Sequence, residues 1–112
     1  MVNDMFPADL QASVCYVERA LTILGGKWTI LLVHDLMDGP KRFGELRRHI
    51  PEASAKMLTM RLRELEHGGL VEREVFAEVP PHVEYRLTPS GLALRAAVEA
   101  LRAWGIQFCV DD

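Results

Sequence analysis

The stretch from residue 42 to residue 88 constrains the fold most, because its hydrophobic period changes part-way along. Apolar residues first recur at helical spacing in two short segments, which Pro51 separates. Proline pushes the preceding residue out of the α region and so ends the first helix. From Val83 the period becomes two, which is typical of a half-buried strand. Two helices followed by paired strands are the order of parts in a winged helix-turn-helix, a fold that places a helix in a DNA groove.

The same periodicity predicts four helices before the strands. Each is bounded by a turn former, because glycine adopts the left-handed conformation that ends helices and Ser54 is a good N-cap. The helices are expected over about residues 15–24, which end at Gly25-Gly26; from Lys27 to Asp38-Gly39-Pro40; from Phe43 to Ile50; and from Ser54 to Gly68-Gly69. We expect the aromatic residues Trp28 and Phe43 to lie in the core.

The remainder of the chain predicts a β-wing and a last long helix. Residues 71–76 are rich in strand formers, and we expect them to pair with the alternating strand that begins at Val83. Pro80-Pro81 stiffens the loop between them. After Thr88-Pro89, a cap with proline at the first helical position, one helix is expected to run to about Phe108.

The length and composition indicate one domain. The chain has 112 residues, 49% of them hydrophobic and 26% charged, which is enough for one core. The predicted fold class is α+β, mostly α: a winged helix-turn-helix with a two-stranded β-wing and a long C-terminal dimerisation helix. We expect residues 1–14 to be an N-terminal arm and residues 15–112 to form the domain. No apolar run is long enough to span a membrane and no segment resembles a signal peptide, so the expected location is cytoplasmic.

Positive charge is concentrated in one part of the chain. The net charge is -3, yet residues 41–63 carry seven basic side chains and two carboxylates, a formal +5 that leaves -8 on the other 89 residues. Phosphate contacts supply most non-specific affinity for DNA. The segment is therefore a candidate docking surface for a duplex, although basic residues on a helix usually indicate only a solvated face.

The last helix indicates a second copy of the chain. It is apolar over much of its circumference and about 30 Å long, more than one small core covers. One stripe contains Leu94, Ala97, Val98, Leu101, Trp104 and Phe108, and a second contains Ala93, Ala96, Ala100 and Ala103. A homodimer in which this helix and the N-terminal segment pack across a two-fold axis would bury both. The alternative is that the first two helices cover it alone.

Several segments together resemble the HxlR-type transcriptional regulators, relatives of the MarR group. They are Cys15-Tyr-Val-Glu-Arg-Ala, Leu24-Gly-Gly-Lys-Trp-Thr, Gly39-Pro-Lys-Arg-Phe-Gly-Glu-Leu-Arg-Arg, Leu58-Thr-Met-Arg-Leu-Arg-Glu-Leu-Glu and Val79-Pro-Pro-His-Val-Glu-Tyr-Arg-Leu-Thr-Pro-Ser-Gly. The likeness covers about residues 13–108. It implies a dimeric bacterial winged helix-turn-helix regulator that binds palindromic operators on double-stranded DNA and needs no cofactor.

Residues for DNA contact follow from their positions on the predicted elements. We expect Ser54, Lys56, Thr59, Met60 and Arg63 to reach base edges from the fourth helix. Lys41, Arg42 and Arg47 are expected to hold phosphates, and His82 and Arg86 to touch the minor groove or its phosphates from the wing. Arg61 borders the buried stripe, so it either reaches DNA or tethers the third helix or an acidic neighbour.

The two cysteines, Cys15 and Cys109, lack the spacing of a zinc site and are expected to be free thiols. A cysteine at a helix N-terminus has its thiolate stabilised by the helix dipole, and we place Cys15 there; the alternative is a small buried core residue. The family resemblance implies sensing of oxidants or reactive carbonyl and quinone compounds through Cys15, with Tyr16 standing where proline is common. It also implies that Cys109 can form a disulfide with Cys15 of the other subunit.

Two alternatives remain besides a redox-responsive regulator. A regulator of the MarR type would bind an apolar inducer in a pocket between the long helix and the core, without thiol chemistry. A winged helix can also serve only as a protein-interaction module. An enzyme is not expected, because the acid or base groups at His34, Asp35, Glu45 and Glu66 lack a nucleophile, a metal set or a phosphate loop.

Overall fold

The computed structural model describes the backbone of residues 8–109 and the side chains of residues 14–109. It confirms the predicted winged helix-turn-helix. In chain order the elements are α1 (Ala8–Leu24), α2 (Thr29–Leu36), β1 (Lys41–Arg42), α3 (Phe43–His49), α4 (Ala55–His67), β2 (Val71–Phe76), β3 (His82–Leu87), α5 (Pro89–Leu92) and α6 (Arg95–Phe108).

The core lies where α2, α3 and α4 meet the sheet. It is built mainly from leucines at helical spacing, including Leu32, Leu36, Leu46, Leu58, Leu62 and Leu65, each almost fully buried. Burying one such side chain stabilises the fold by about 1.5–3 kcal/mol. Trp28 and Phe43 are partly buried and pack against this core, as predicted. The core therefore fixes α4 by one face only.

Side-chain and glycine caps set the ends of the elements that carry the basic segment. The Ser54 hydroxyl accepts a hydrogen bond from the Met57 backbone N–H at 3.0 Å, which confirms it as the N-cap of α4. At the other end Gly69 has φ +81°, and Leu70 N–H reaches back to the Leu65 carbonyl at 2.9 Å. This is the left-handed ending that glycine permits.

The sheet has three strands in the order β1-β3-β2, all antiparallel. The predicted pairing of β2 with β3 is confirmed, with Val71 opposite Leu87 and Phe76 opposite His82. The short strand β1 was not predicted, because two residues carry no period. It places Arg42 opposite Glu84 and ties the basic segment to the wing.

Helix α1 begins earlier than the sequence predicts, at Ala8 instead of residue 15. The predicted division between an arm (1–14) and a domain (15–112) thus falls inside a continuous helix. Among the described residues, no helix combines the length and apolarity needed to cross a bilayer.

The prediction of one unbroken last helix is wrong. Ala93 and Leu94 separate α5 from α6, and Leu94 N–H bonds to the Gly91 carbonyl three residues back at 3.1 Å. Such a tightened step interrupts the regular α pattern. Gly91 is packed so closely on Leu70 that a Cβ added to Gly91 would lie 2.4 Å from the carbonyl oxygen of Leu70.

Candidate nucleic-acid interface

Helix α4 has an apolar face towards the core and a basic face towards solvent. At about 100° per residue, Lys56, Met60, Arg63 and His67 form one straight stripe, on the side of the helix opposite the buried leucines. Lys56 and Arg63 are exposed, and neither has an ion pair or a side-chain hydrogen bond with another described residue. Their charges are available to an external anion.

Of the other predicted base-reading residues, Met60 lies in this stripe, Thr59 lies beside it and Ser54 precedes the helix. Met60 is exposed and Thr59 is half-buried, both on the solvent side of α4. Ser54 stands at the start of the helix, where its hydroxyl oxygen is already occupied by the cap. The five predicted residues thus all lie between the N-cap of α4 and Arg63.

Arg61 has turned inward. Its Nε donates to the Lys27 carbonyl at 3.0 Å, its Nη1 donates to Glu64 Oε1 at 3.0 Å, and its side chain is only 18% exposed. Of the two predicted roles, the tether to an acidic neighbour is the one observed. The tether reaches the loop between α1 and α2 and not the third helix.

The residues predicted to hold phosphates differ in their availability. Arg42 and Arg47 are exposed. Lys41 is only 11% exposed, because its Nζ donates to the Asp35 carbonyl at 2.8 Å and lies 3.8 Å from Asp35 Oδ1. Asp35 also contacts His49 Nδ1 at 2.9 Å. In this arrangement Lys41 joins α2 to β1, and its ammonium group already contacts two oxygen atoms of Asp35.

The wing is less basic than the sequence suggests. His82 Nδ1 lies 3.2 Å from Glu78, and Nε2 lies 3.1 Å from Glu84. The ring stacks on Phe76 with a centroid distance of 4.5 Å. Arg86 forms a cross-strand ion pair with Glu74. Both predicted wing residues thus have carboxylate partners within the chain.

Arg73 was not among the residues predicted from the sequence. Arg73 lies opposite Tyr85 in the wing and lines, with Arg63 and Thr59, a cleft between α4 and the sheet. Glu66 lines the same cleft. The predicted pairing of β2 with β3 places Arg73 opposite Tyr85, and the cleft brings both residues close to α4.

Glu45 is the carboxyl group whose pKa is lowered in the basic segment. The Arg42 backbone N–H donates to its Oε1 at 2.9 Å, and this bond is the main cause of the lowered pKa. Desolvation is the second-largest effect and raises the pKa, while the charges of Arg48, Lys41 and His49 lower it further. Glu45 therefore stabilises the start of α3 in its ionised form.

Both cysteines are free and exposed. Cys15 is the eighth residue of α1, so the prediction that it lies at a helix N-terminus is wrong: the dipole acts within the first turn. The alternative of a buried core cysteine is wrong as well. Cys109 caps the C-terminal end of α6.

Two helices expose apolar side chains that the single chain does not cover. On α1 these are Tyr16, Val17 and Leu21, and on α6 they are Leu101, Trp104, Ile106 and Phe108. We call this set the α1/α6 apolar surface. The Trp104 and Phe108 rings lie 5.5 Å apart, so these two aromatic side chains are adjacent on α6. The first two helices do not cover α6, in contrast to the alternative considered above.

Comparison with known proteins identifies the protein family to which the chain belongs. The HxlR-like helix-turn-helix profile matches residues 23–112. The chain belongs to the HxlR family, which is related to the MarR group. The transcriptional regulator YodB of Bacillus subtilis is 50% identical over 93 residues, 83% of each chain. This HxlR-family chain is thus a transcriptional regulator of the HxlR type.

Solved structures agree with the fold of this HxlR member. Reduced YodB superposes with a TM-score of 0.74 at 50% identity, over 82% of this chain and 90% of YodB. The redox regulator HypR in its oxidised form has a TM-score of 0.81 at 46% identity, over 88% of this chain and 99% of the HypR chain. An Enterococcus faecalis structure assigned to the MarR family has a TM-score of 0.77 at 40% identity, over 97% of this chain and 94% of the Enterococcus chain.

YodB structures have also been determined in other chemical states. The diamide-treated form has a TM-score of 0.70 at 49% identity, over 84% of this chain and 93% of YodB. The quinone-bound form has a TM-score of 0.72 at 45% identity, over 83% and 98%.

Proposed function

We propose that the protein is a dimeric, sequence-specific DNA-binding regulator that responds to oxidants or reactive electrophiles through Cys15. The observation that carries the DNA-binding part is the free pair Lys56 and Arg63 on the solvent side of α4. Two exposed, unpaired cations opposite a buried face are what a helix needs to enter a major groove.

The contact set we propose is smaller than the sequence suggests. Lys56 and Arg63 read base edges, with Thr59, Met60 and Ser54 beside them. Arg42, Arg47 and Arg73 hold phosphates and fix the register. Lys41, His82 and Arg86 are left out, because each would first have to break an ion pair.

The α1/α6 apolar surface supports a dimer. Exposed aromatic and branched side chains of this size mark interaction sites on soluble proteins. A two-fold axis through the patch would bury it against its own copy and set two α4 helices in opposite orientations. Such a pair fits a palindromic operator.

We favour oxidation or modification of a thiol as the signal to which the regulator responds. Cys15 is exposed, and the relatives YodB and HypR have been solved in reduced, diamide-treated, quinone-bound or oxidised forms. We propose that diamide or a comparable oxidant joins Cys15 of one chain to Cys109 of its partner. The two thiols transfer two protons and two electrons to the N=N (diazene) group of diamide, which becomes a hydrazine. An S–S bond forms between the two sulfur atoms.

A retardation assay at several salt concentrations tests the DNA-binding part. For Lys56→Ala and Arg63→Ala we expect weaker binding by about 1–3 kcal/mol if the side chain reads a base, and a salt slope smaller by about one for a phosphate contact. Lys27→Ala removes one charge outside α4 and is the matched control. If all three variants bind like the wild type, α4 is not the DNA-binding element.

A further inference from the structure

We propose that Met60 reads the methyl group of a thymine, and that each half-site of the operator has this T·A pair between two G·C pairs. This base order rests on the proposed function and deepens it, since it names the bases that α4 contacts. It follows from the kinds of side chain on the solvent side of α4 and from their order along the helix axis.

The solvent side of α4 has a cation before and after one apolar side chain. Lys56, Met60 and Arg63 lie within about 60° of one another around the helix. Met60 is 42% exposed, on the side opposite the buried leucines. Its thioether sulfur is only a weak acceptor and the side chain has no donor. Any base contact of Met60 is therefore apolar.

The two cations favour guanine. Lysine and arginine side chains only donate hydrogen bonds, and the major-groove edge of guanine presents two acceptors, N7 and O6. Adenine presents one acceptor and one donor, which an amide side chain matches. Helix α4 contains neither asparagine nor glutamine. We therefore assign guanine to Lys56 and to Arg63.

The carboxylates of α4 leave this assignment unchanged. A carboxylate could accept a hydrogen bond from cytosine N4. Glu64, however, is held by Arg61 at 3.0 Å. Glu66 lies one turn beyond Arg63 and lines the cleft that contains Arg73. Each G·C pair is thus read through its guanine.

Thymine is the base that suits Met60. Its C5-methyl group projects into the major groove and is the apolar group there that separates thymine from the other three bases. Contact with Met60 would remove apolar area of both groups from water. A single exposed apolar side chain is ordinary on a protein surface. Met60 differs because the two base-reading cations flank it, so it faces the same groove floor.

The axial spacing gives the order of the bases. At about 1.5 Å per residue, Met60 is about 6 Å from Lys56 and about 4.5 Å from Arg63 along the helix axis. The whole span of about 10.5 Å corresponds to about three base-pair steps of about 3.4 Å. With α4 along the groove, the thymine lies about one step from the guanine of Arg63 and about two from that of Lys56.

Thr59 is the competing reader of a methyl group, since its own side chain carries one. It is half-buried and lines the cleft between α4 and the wing, with Arg73 and Tyr85. It therefore faces the wing, whereas Met60 stands on the outer stripe. Thr59→Ser removes the methyl group and keeps the hydroxyl, so it separates the two readers.

Deoxyuridine tests the contact, because it differs from thymidine only by the missing methyl group. The probe is a duplex that the wild-type chain selects from a randomised library, with uracil placed at one thymine position at a time. In retardation assays we expect one position per half-site at which uracil lowers the affinity about fourfold, the effect of one buried group of methyl size.

The variants assign this methyl group to one side chain. We expect Met60→Ala to bind the thymine and uracil duplexes equally. Met57→Ala changes the same residue type on the same helix outside the stripe, and it should keep the fourfold ratio, as should Thr59→Ser. Each ratio compares two duplexes on one protein, so a change in the stability of a variant cancels.

Met60→Gln should change the preferred base. Its amide both donates and accepts, so we expect selection with this variant to enrich adenine at the position where the wild type enriches thymine. The flanking guanines should stay, because Lys56 and Arg63 are unchanged.

Two outcomes overturn the base assignment while DNA binding stands. One is equal affinity of the wild type for every uracil duplex. The other is a uracil effect that Met60→Ala keeps and Thr59→Ser loses. If the wild type neither selects nor retards any duplex, the proposed function itself fails, and the base assignment falls with it.

Discussion

Arg61 on α4 donates a hydrogen bond from Nε to the carbonyl oxygen of Lys27 at 3.0 Å. The guanidinium lies against Gly26, where an added Cβ would approach Arg61 Cζ to 2.7 Å. Because Glu64 holds the same guanidinium from the other side, the side chain has little room to move. The loop between α1 and α2 therefore fixes the orientation of the helix that carries Lys56 and Arg63.

A double-mutant cycle on this contact should show coupling. We expect Arg61→Ala to lower the free energy of unfolding by about 1–2 kcal/mol through lost hydrogen bonds, and Gly26→Ala to lower it by displacing the guanidinium. In the Arg61→Ala background, Gly26→Ala should cost little, since the obstructing group is gone. Gly44→Ala, whose new methyl would meet only Arg48 at 3.8 Å, is the control. Additive effects in urea denaturation would refute the tether.

The lowered pKa of Glu45 makes a prediction about pH. A carboxyl group whose pKa is lower in the folded state stabilises the fold above its unfolded pKa, and this contribution is lost as the pH falls through the folded pKa. We therefore expect Glu45→Gln to be less stable than the wild type at about pH 7 and equally stable at about pH 2. Glu52→Gln, on an exposed turn, should show no such convergence. The midpoints of urea denaturation across this pH range measure the stability of each protein. A difference between wild type and Glu45→Gln that stays constant with pH would contradict the account.

The α1/α6 apolar surface should control the oligomeric state. We expect the wild type to sediment at twice its chain mass of 12.6 kDa and Trp104→Asp to sediment as a single chain, because the carboxylate would be buried unpaired. Val75→Asp is matched, since both side chains are 57% exposed, and Val75 lies on the wing. A monomeric wild type, or a dimeric Trp104→Asp, would show that the interface lies elsewhere.

The disulfide hypothesis can be tested by mixing variants. After diamide treatment, we expect the wild type to run as a covalent dimer on a non-reducing gel, and Cys15→Ser and Cys109→Ser each to run as monomers. A mixture of the two variants, exchanged before oxidation, should regain a cross-linked band through its remaining Cys15 and Cys109. A cross-linked band in either single variant alone would indicate pairing of identical cysteines.

Local rules allowed the sequence to predict both ends of α4 and the wing. Ser54 and Gly69 act on neighbours within one turn, and the alternation from Val83 needs no knowledge of distant residues. The positions of Trp28 and Phe43 against the core follow from the same hydrophobic periodicity. The winged helix-turn-helix and the stripe on α4 were predictable for this reason.

What the sequence did not reveal depends on contacts between distant segments. Asp35 captures Lys41, and Lys27 captures Arg61, across gaps that no spacing rule encodes. On the wing, the pairing of β2 with β3 brings Glu74 to Arg86, whereas the carboxylates beside His82 are close to it along the chain and were overlooked. Charge counted along a chain therefore overstated the basic surface.

Selection from a randomised duplex library tests the central claim most directly. With the reduced wild-type protein, the account predicts enrichment of an inverted repeat whose half-site centres are about one helical turn apart, because a two-fold dimer presents two α4 helices to successive major grooves. Lys56→Ala with Arg63→Ala should enrich nothing. Failure of the wild type to enrich any sequence, or enrichment of a single unrepeated site, would contradict it.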